Sequence, residues 1–269
     1  VIGTDPDTDL AVIKIELDKL PVLPFKLSGN EVGDVVLAIG NPFGVGQTVT
    51  QGIISATGRS DLGINTYEDF IQTDAAINPG NSGGALIDVA GNLIGVNTAI
   101  FSQSGGSLGI GFAIPAKICQ QVLNSILKDG RVVRGWLGIS LIPNTVEDDV
   151  LAAKPIGVIV ADVLRDGPAD VAGVKRGDKI IQVNNEQITS ASHLINYVAL
   201  QAPQSMINVV VERGGKQQTV QVKVGERKVQ QNAQSVVNRF RPLVKRQAVS
   251  AQEFEAAVAA LGQAQAGVT

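Results

Sequence analysis

The sequence predicts a mainly β protein: a barrel or sandwich of short strands, one amphipathic helix, a small α+β module and a polar tail. Three observations predict it. β-branched runs recur through residues 34–114 with turn residues, and no helical stretch, between them. The hydrophobic period then changes once, over 115–130. From Arg134 onwards short strand-like and helix-like stretches alternate.

Taken in order, Thr4-Asp5-Pro6-Asp7-Thr8-Asp9 is an acidic turn cluster leading into residues 10–17, whose apolar and polar alternation predicts a half-buried strand. Asp9 stands at that strand's entrance, where a carboxylate can point back towards a neighbouring site. Asp5 and Asp7 read as turn residues bonded to local backbone. Residues 18–34 are a connector, punctuated by Ser28-Gly29-Asn30. Strands are expected over 34–39, 47–57, 69–74, 85–89, 92–101 and 109–114, with Ala90-Gly91-Asn92 as a hairpin turn. The loops 58–66 and 102–108 are polar and glycine-containing, the kind of segment that carries specificity or gating on a rigid frame.

Over 115–130, Ile118, Val122, Ile126 and Leu127 make one stripe, Lys128 lies near the end and Gly130 is the stop. Cys119 is a small side chain on that helix. The second module has a strand over 157–163, a turn at Arg165-Asp166-Gly167-Pro168-Ala169, a strand-rich stretch 173–188, a helix over 191–201 and a hairpin across Gly214-Gly215. In the Gln- and Ala-rich tail, Ser250-Ala251-Gln252-Glu253 is a capping box ahead of Phe254, Val258 and Leu261, with Gly262 as a stop. Arg239, Arg241, Lys245 and Arg246 solvate that segment rather than bind a partner.

Composition narrows the function. The 269 residues suffice for two modest domains, and 44% hydrophobic against 17% charged residues describes a folded chain. A net charge of −3 gives no reason to expect nucleic acid. No apolar run reaches the length of a membrane span. One cysteine excludes an internal disulfide and a cysteine-built metal site, and no metal or organic cofactor is suggested. The only histidine, His193, is a severe constraint on acyl transfer by serine.

The stretch that bears chemistry is Asn78-Pro79-Gly80-Asn81-Ser82-Gly83-Gly84-Ala85. A serine hydroxyl needs a base to take its proton and donors to hold the oxyanion. Gly80 lets the backbone turn so that its own N–H and that of Ser82 point into one pocket, while Gly83 and Gly84 leave room for an acyl group. The same residues would serve equally as a plain β-turn, so the stretch alone leaves both readings open. It matches the G-x-S-x-G elbow of α/β-hydrolases, but that motif demands a following helix, and a hairpin follows here. The order His, Asp, Ser on paired β-barrels fits better, with Asp9 well ahead of Ser82.

Thr8-Asp9-Leu10-Ala11-Val12, Gly40-Asn41-Pro42, Thr50-Gln51-Gly52-Ile53-Ile54-Ser55, Gln72-Thr73-Asp74-Ala75-Ala76-Ile77-Asn78-Pro79-Gly80-Asn81-Ser82-Gly83-Gly84 and Gly109-Ile110-Gly111-Phe112-Ala113-Ile114-Pro115 together resemble the HtrA (Deg) family of trypsin-like serine proteases. Residues 134–228 resemble the PDZ domain that follows the protease in that family. The likeness spans 5–228, leaves the tail unexplained, and with one PDZ domain is most similar to the DegS/AlgW periplasmic regulatory branch.

The resemblance implies a chymotrypsin-like double β-barrel whose first barrel is truncated at the N-terminus, followed by a small α+β PDZ domain. The implied division is 1–116 protease, 117–133 linker helix, 134–228 PDZ and 229–269 tail. Asp9 corresponds to the triad aspartate, Ser82 to the nucleophile, and the amides of Gly80 and Ser82 to the oxyanion hole. Ile77, Ile100 and Ile110 would line the S1 pocket, although isoleucines in strands are commonly core. Arg59 and the loop after it, with Asn78-Pro79 and 102–108, match the family's regulatory activation loops. Trp136-Leu137-Gly138-Ile139 matches the loop that binds a peptide C-terminal carboxylate, with 191–200 as the groove helix. His193 falls on that helix and is a surface or groove residue, not the base.

The family's catalytic histidine would precede the first residue, so the chain reads as a fragment that is inactive by itself, within a parent that is a protease. The resemblance implies protein and peptide substrates, C-termini of misfolded outer-membrane proteins as PDZ ligands, an anti-sigma factor cleaved in envelope stress, a homotrimer, and a periplasmic location with a membrane anchor ahead of residue 1. Two alternatives stand beside it: a general quality-control protease, and a peptide-binding or chaperone-like module without chemistry.

Overall fold

The structure, a computed structural model, describes residues 1–60, 62–100, 106–142 and 156–227, together with Val237, Val258, Ala259 and Leu261. The chain divides into two compact units, Val1–Val132 and Val133–Thr269.

In the first unit β1 (Gly3–Asp5) and β2 (Leu10–Val12) form an antiparallel hairpin. The strand expected over 10–17 therefore stops at Val12. β2 pairs with β1 over three residues, no strand among the described residues continues the ladder, and Ile13, Ile15 and Leu17 stay 69%, 51% and 64% exposed. Alternation specifies a face, but only a partner makes a strand.

Six strands then close an antiparallel barrel: β3 (Val35–Gly40), β4 (Thr48–Arg59), β5 (Phe70–Thr73), β6 (Ala85–Asp88), β7 (Leu93–Ile100) and β8 (Gly111–Pro115), in the order β3-β4-β5-β8-β7-β6. Their alternation sends Val36, Ala38, Ile54, Leu86, Ile94 and Ala113 inward, and each larger aliphatic buried there contributes roughly 1.5–3 kcal/mol. The β6–β7 turn is held by Asp88, whose Oδ1 accepts the N–H groups of Ala90 (3.0 Å) and Asn92 (2.8 Å), with Gly91 left-handed at φ 83°.

Helix α1 (Ala116–Asp129) closes the unit and ends on Gly130, left-handed at φ 69°, whose N–H donates to Ile126 O. Its buried face is Ala116, Cys119, Val122 and Ile126; Leu127, expected on the stripe, is 63% exposed because a further 100° of helix carries it past Ile126 to the outer side. Cys119 packs with Phe70, Phe112 and Ile114, and burial pushes its thiol up to about 12. We expect Cys119 to resist iodoacetamide at pH 8 in the folded chain and to react once urea unfolds it; native-state modification followed by mass spectrometry would overturn this.

In the second unit β9 (Gly135–Trp136) pairs with a closing strand, β16 (Gly225–Glu226). Between them lie β10 (Ile139–Leu141), β11 (Val158–Val163), α2 (Pro168–Ala172), β12 (Lys179–Val183), β13 (Glu186–Gln187), α3 (Ala191–Ala199), β14 (Met206–Arg213) and β15 (Lys216–Lys223). The main sheet runs β10-β11-β12-β14-β15, with β10 at its edge and β13 against β12. Where a turn is expected near Pro168, the chain makes the short helix α2: proline at its start and left-handed Gly173 at its end bracket it. Val158, Val160, Ile180, Val183, Leu194, Val209, Val211 and Val222 form the core. At its margin the Asp178 carboxylate takes Arg213 Nε and Nη2 at 2.6 and 2.7 Å and Lys175 N–H at 2.8 Å, while Arg213 Nη2 also reaches Gly173 O.

Val258, Ala259 and Leu261 are helical; the capping box at 250–253, Phe254, Gly262 and the tail's arginines and Lys245 lie outside the described residues, as do Phe101 and 102–105 of the second polar loop. No helix among the described residues is long and apolar enough to cross a membrane.

Candidate active site

The serine turn is built by glycines that leave no room for a side chain. A Cβ on Gly84 would meet Ile39 O at 2.0 Å, and one on Gly80 would meet Asn41 O at 2.3 Å. Gly80 also sits at φ 102°, open to glycine but strained for other residues. The turn is tied to β7 by Gly83 N–H to Asn97 O (2.8 Å) and Asn97 N–H to Gly84 O (2.9 Å), and to itself by Asn81 N–H to Asn78 O and Gly84 N–H to Asn81 O. Asn81 and Asn97 are buried; Asn97 Nδ2 donates to Ile39 O and Ala85 O.

The loop 41–46 decides which way the turn's peptides face. Phe43 N–H holds Pro79 O at 2.9 Å and Asn41 N–H holds Gly80 O at 3.3 Å. In a trans peptide the N–H opposes the carbonyl, so fixing Pro79 O on the loop side turns the Gly80 N–H to the other side. Among the described residues the Gly80 and Ser82 amides donate to no protein acceptor.

Ser82 lies exposed on this turn, and its Oγ donates to Thr98 O at 3.0 Å. Thr98 Oγ1 donates to Asp9 Oδ2, also at 3.0 Å. One residue of β7 thus links the carboxylate of the N-terminal hairpin to the serine of the glycine turn. Thr98 is the site residue that sequence reasoning missed; nothing in Asn97-Thr98-Ala99 distinguishes it from an ordinary strand position.

The other predicted residues fall as follows. Ile77 and Ile100 share the barrel core, and Ile77 lies against Gly111; Ile110 packs with the neighbouring cluster around Phe70 and Phe112. Arg59 ends β4 and its Nε donates to Gln72 Oε1 at 2.8 Å. His193 is on α3 in the second unit, with Nδ1 3.2 Å from Thr189 Oγ1 and Nε2 3.4 Å from Glu186 Oε1.

Trp136-Leu137-Gly138-Ile139 repeats the serine turn's logic. Ala169 N–H takes Leu137 O (2.9 Å) and Leu164 N–H takes Gly138 O (2.8 Å), so the amides of Gly138 and Ile139 face the opposite side. Trp136 stacks beside Gly138, which is left-handed at φ 75°, and Ile139 begins the edge strand β10. No group of three or more metal-ligating side chains occurs among the described residues.

Three families match this chain: a trypsin-like peptidase domain over residues 1–96, a PDZ domain over 135–224, and an RND MFP alpha-helical hairpin domain over 227–269. A probable periplasmic serine endoprotease, DegP-like, of Chlamydia pneumoniae is 50% identical over 232 residues, 84% of this chain and 47% of the relative. Its counterpart in Bartonella henselae is 48% identical over 228 residues, 83% of this chain and 45% of the relative. The chain thus spans about half the length of the curated relatives it matches. Among solved structures, the HtrA-type protease AlgW with tripeptide is 55% identical with a TM-score of 0.72, covering 84% of this chain and 76% of that one. The serine endoprotease from Yersinia pestis is 45% identical with a TM-score of 0.60, covering 84% and 75%.

Proposed function

The chain belongs to the HtrA-type serine proteases, and on that premise we propose that it forms part of a periplasmic serine endopeptidase whose PDZ domain captures exposed protein C-termini and adjusts cleavage. The observation that carries this reading is the link from Ser82 through Thr98 to Asp9. A serine hydroxyl bonded to a carbonyl is not a nucleophile until it turns to a base. An imidazole from outside this chain's described site would take the Ser82 proton, and Asp9 would hold its tautomer. Ser82 Oγ then attacks the scissile carbonyl, the Gly80 and Ser82 amides hold the oxyanion, and collapse breaks the C–N bond as the imidazolium gives its proton to the leaving amine; a water deprotonated by the same imidazole then hydrolyses the acyl-enzyme and restores the Ser82 hydroxyl. Ile77, Ile100 and Ile110 suit a small or branched apolar residue before the scissile bond.

On the PDZ side, a peptide adds as a strand to the outer edge of β10, beside α3, with its carboxylate on the amides of Gly138 and Ile139. Family likeness extends this to C-termini of misfolded outer-membrane proteins as ligands, a membrane-bound anti-sigma factor as substrate, and a homotrimer held at the inner membrane. In this account Arg59 and its loop, with 41–46, move the 78–82 turn between states. The family likeness also carries a second reading, a general quality-control protease.

Fluorophosphonate labelling of the longer parent tests the chemistry, with Ser82 as the expected site. Its peptidase rate should rise on the order of tenfold with a peptide bearing a free C-terminal carboxylate and stay flat with the amidated peptide. Peptide binding without Ser82 labelling would replace the protease by a non-catalytic binding module.

A further inference from the structure

Asp9 holds φ at 60°, a left-handed conformation that persists only where neighbours over-determine it. The determining contacts come from one loop. Asn65 Nδ2 donates to Thr8 O and Tyr67 N–H donates to Asp7 O, both at 3.2 Å, so the two peptide units ahead of Asp9 are each held from residues 65–67. Within the turn Thr8 Oγ1 donates to the Asp5 carboxylate and Thr8 N–H to Asp5 O. Asp5, Asp7 and Thr8 are only 4%, 3% and 3% exposed, so this polar turn is packed rather than solvated.

The loop itself is folded around Glu68. Its side chain is buried, and its carboxylate accepts the backbone N–H groups of Leu62 (2.7 Å), Ile64 and Asn65 (2.9 Å). A buried carboxylate is tolerated where several donors converge on it, and here the donors are the loop's own amides. Glu68 lies two residues ahead of β5, so the barrel wall anchors the clasp.

We propose that Glu68 is a positioning residue for the proteolytic site: it folds 62–65 so that Asn65 holds the Thr8–Asp9 peptide and thereby aims the Asp9 carboxylate at Thr98. The proposal rests on reading Asp9 as the aspartate that orients the catalytic imidazole. A continuous path runs from β5 through Glu68, Asn65 and Thr8 O to Asp9, Thr98 and Ser82. Movement of residues 62–65 therefore reorients Asp9 through Thr8 O, in addition to any effect of the Arg59 loop on the glycine turn.

The test uses two variants. Glu68→Gln keeps the shape but turns a donor towards the loop's amides; Asn65→Ala removes only the cross-link to Thr8 O. In amide NMR spectra of the 269-residue chain, both variants should shift Asp9, Leu10 and Thr98 and leave the core signals of Ile54 and Leu86 in place. In the enzyme with a complete triad, kcat should fall on the order of tenfold with KM within about twofold, the signature of a misplaced group rather than lost binding. Unmoved Asp9 and Thr98 signals in both variants overturn the proposal. Loss of signal dispersion in both assigns the clasp to folding and also overturns it, as does an unchanged kcat in variants of an enzyme that labels at Ser82. Absence of Ser82 labelling in the unmutated enzyme is instead a failure of the protease reading, and the NMR shifts then decide the clasp.

Discussion

Replacing Ser82 by alanine is expected to lower kcat of the complete-triad enzyme by about a million-fold, leaving only what the oxyanion donors and binding supply. That is roughly 8 kcal/mol of transition-state stabilisation, more than any single packing contact in the molecule provides. The size follows from the arrangement. Ser82 is exposed on the glycine turn, its Oγ donates to Thr98 O, and Thr98 Oγ1 donates to Asp9. The Asp9→Asn change should cost less, about ten-thousand-fold, because it leaves the nucleophile and spoils the imidazole tautomer. Steady-state peptide hydrolysis with active-site titration reads both. The 269-residue chain by itself is expected to hydrolyse nothing, since its one histidine is on α3 with Glu186 and Thr189. Turnover by that chain, removed by Ser82→Ala, would falsify this account of the base.

The second large effect is on stability. Asp178→Ala should destabilise the PDZ unit by about 2–4 kcal/mol, below the range for a fully enclosed pair because the Arg213 side chain remains 31% exposed. The change strands the guanidinium and frees Lys175 N–H at the foot of β12. In a unit of this size the midpoint of thermal unfolding should drop by at least about 8 °C, read by calorimetry. The pH dependence has a definite sign. The Arg213 guanidinium, and with it the Lys175 amide, holds the Asp178 carboxyl below its ordinary value of 3.8. A carboxyl depressed on folding stabilises in full above its unfolded value, and the contribution is lost as pH falls below 3.8 through the folded value. A PDZ unit equally stable on both sides of that range, or an Asp178→Ala variant with an unchanged midpoint, would sink the assignment.

Much of the site is legible in the residues because its parts are local. The glycines around Ser82 declare a turn, and the structure shows why two of them are obligatory: Ile39 O and Asn41 O occupy the places of the missing Cβ atoms. The acidic cluster at 4–9 is legible only in part: residues 6–9 turn as expected, but Thr4 and Asp5 belong to β1, and the Asp5 carboxylate accepts the Thr8 hydroxyl. Thr98, Asn65 and Glu68 are not, since a threonine in a strand, an asparagine in a loop and a glutamate before a strand are unremarkable until their partners are known. The 10–17 stretch failed for the converse reason, a pattern with a strand's period and no ladder to join beyond Val12.

Local residues were enough to locate the six barrel strands, the β6–β7 turn and the α1 stop, and to set an aspartate ahead of a serine in a glycine turn, because those features depend on residues within a few positions of one another. Tertiary structure alone decided what meets at the site. Thr98 reaches Asp9 across 89 residues, Asn65 reaches Thr8 across 57, and Ser82 reaches Thr98 across 16. Such hydrogen bonds are made only when the barrel closes and brings the hairpin, β7 and the glycine turn together, and no local propensity encodes that closure.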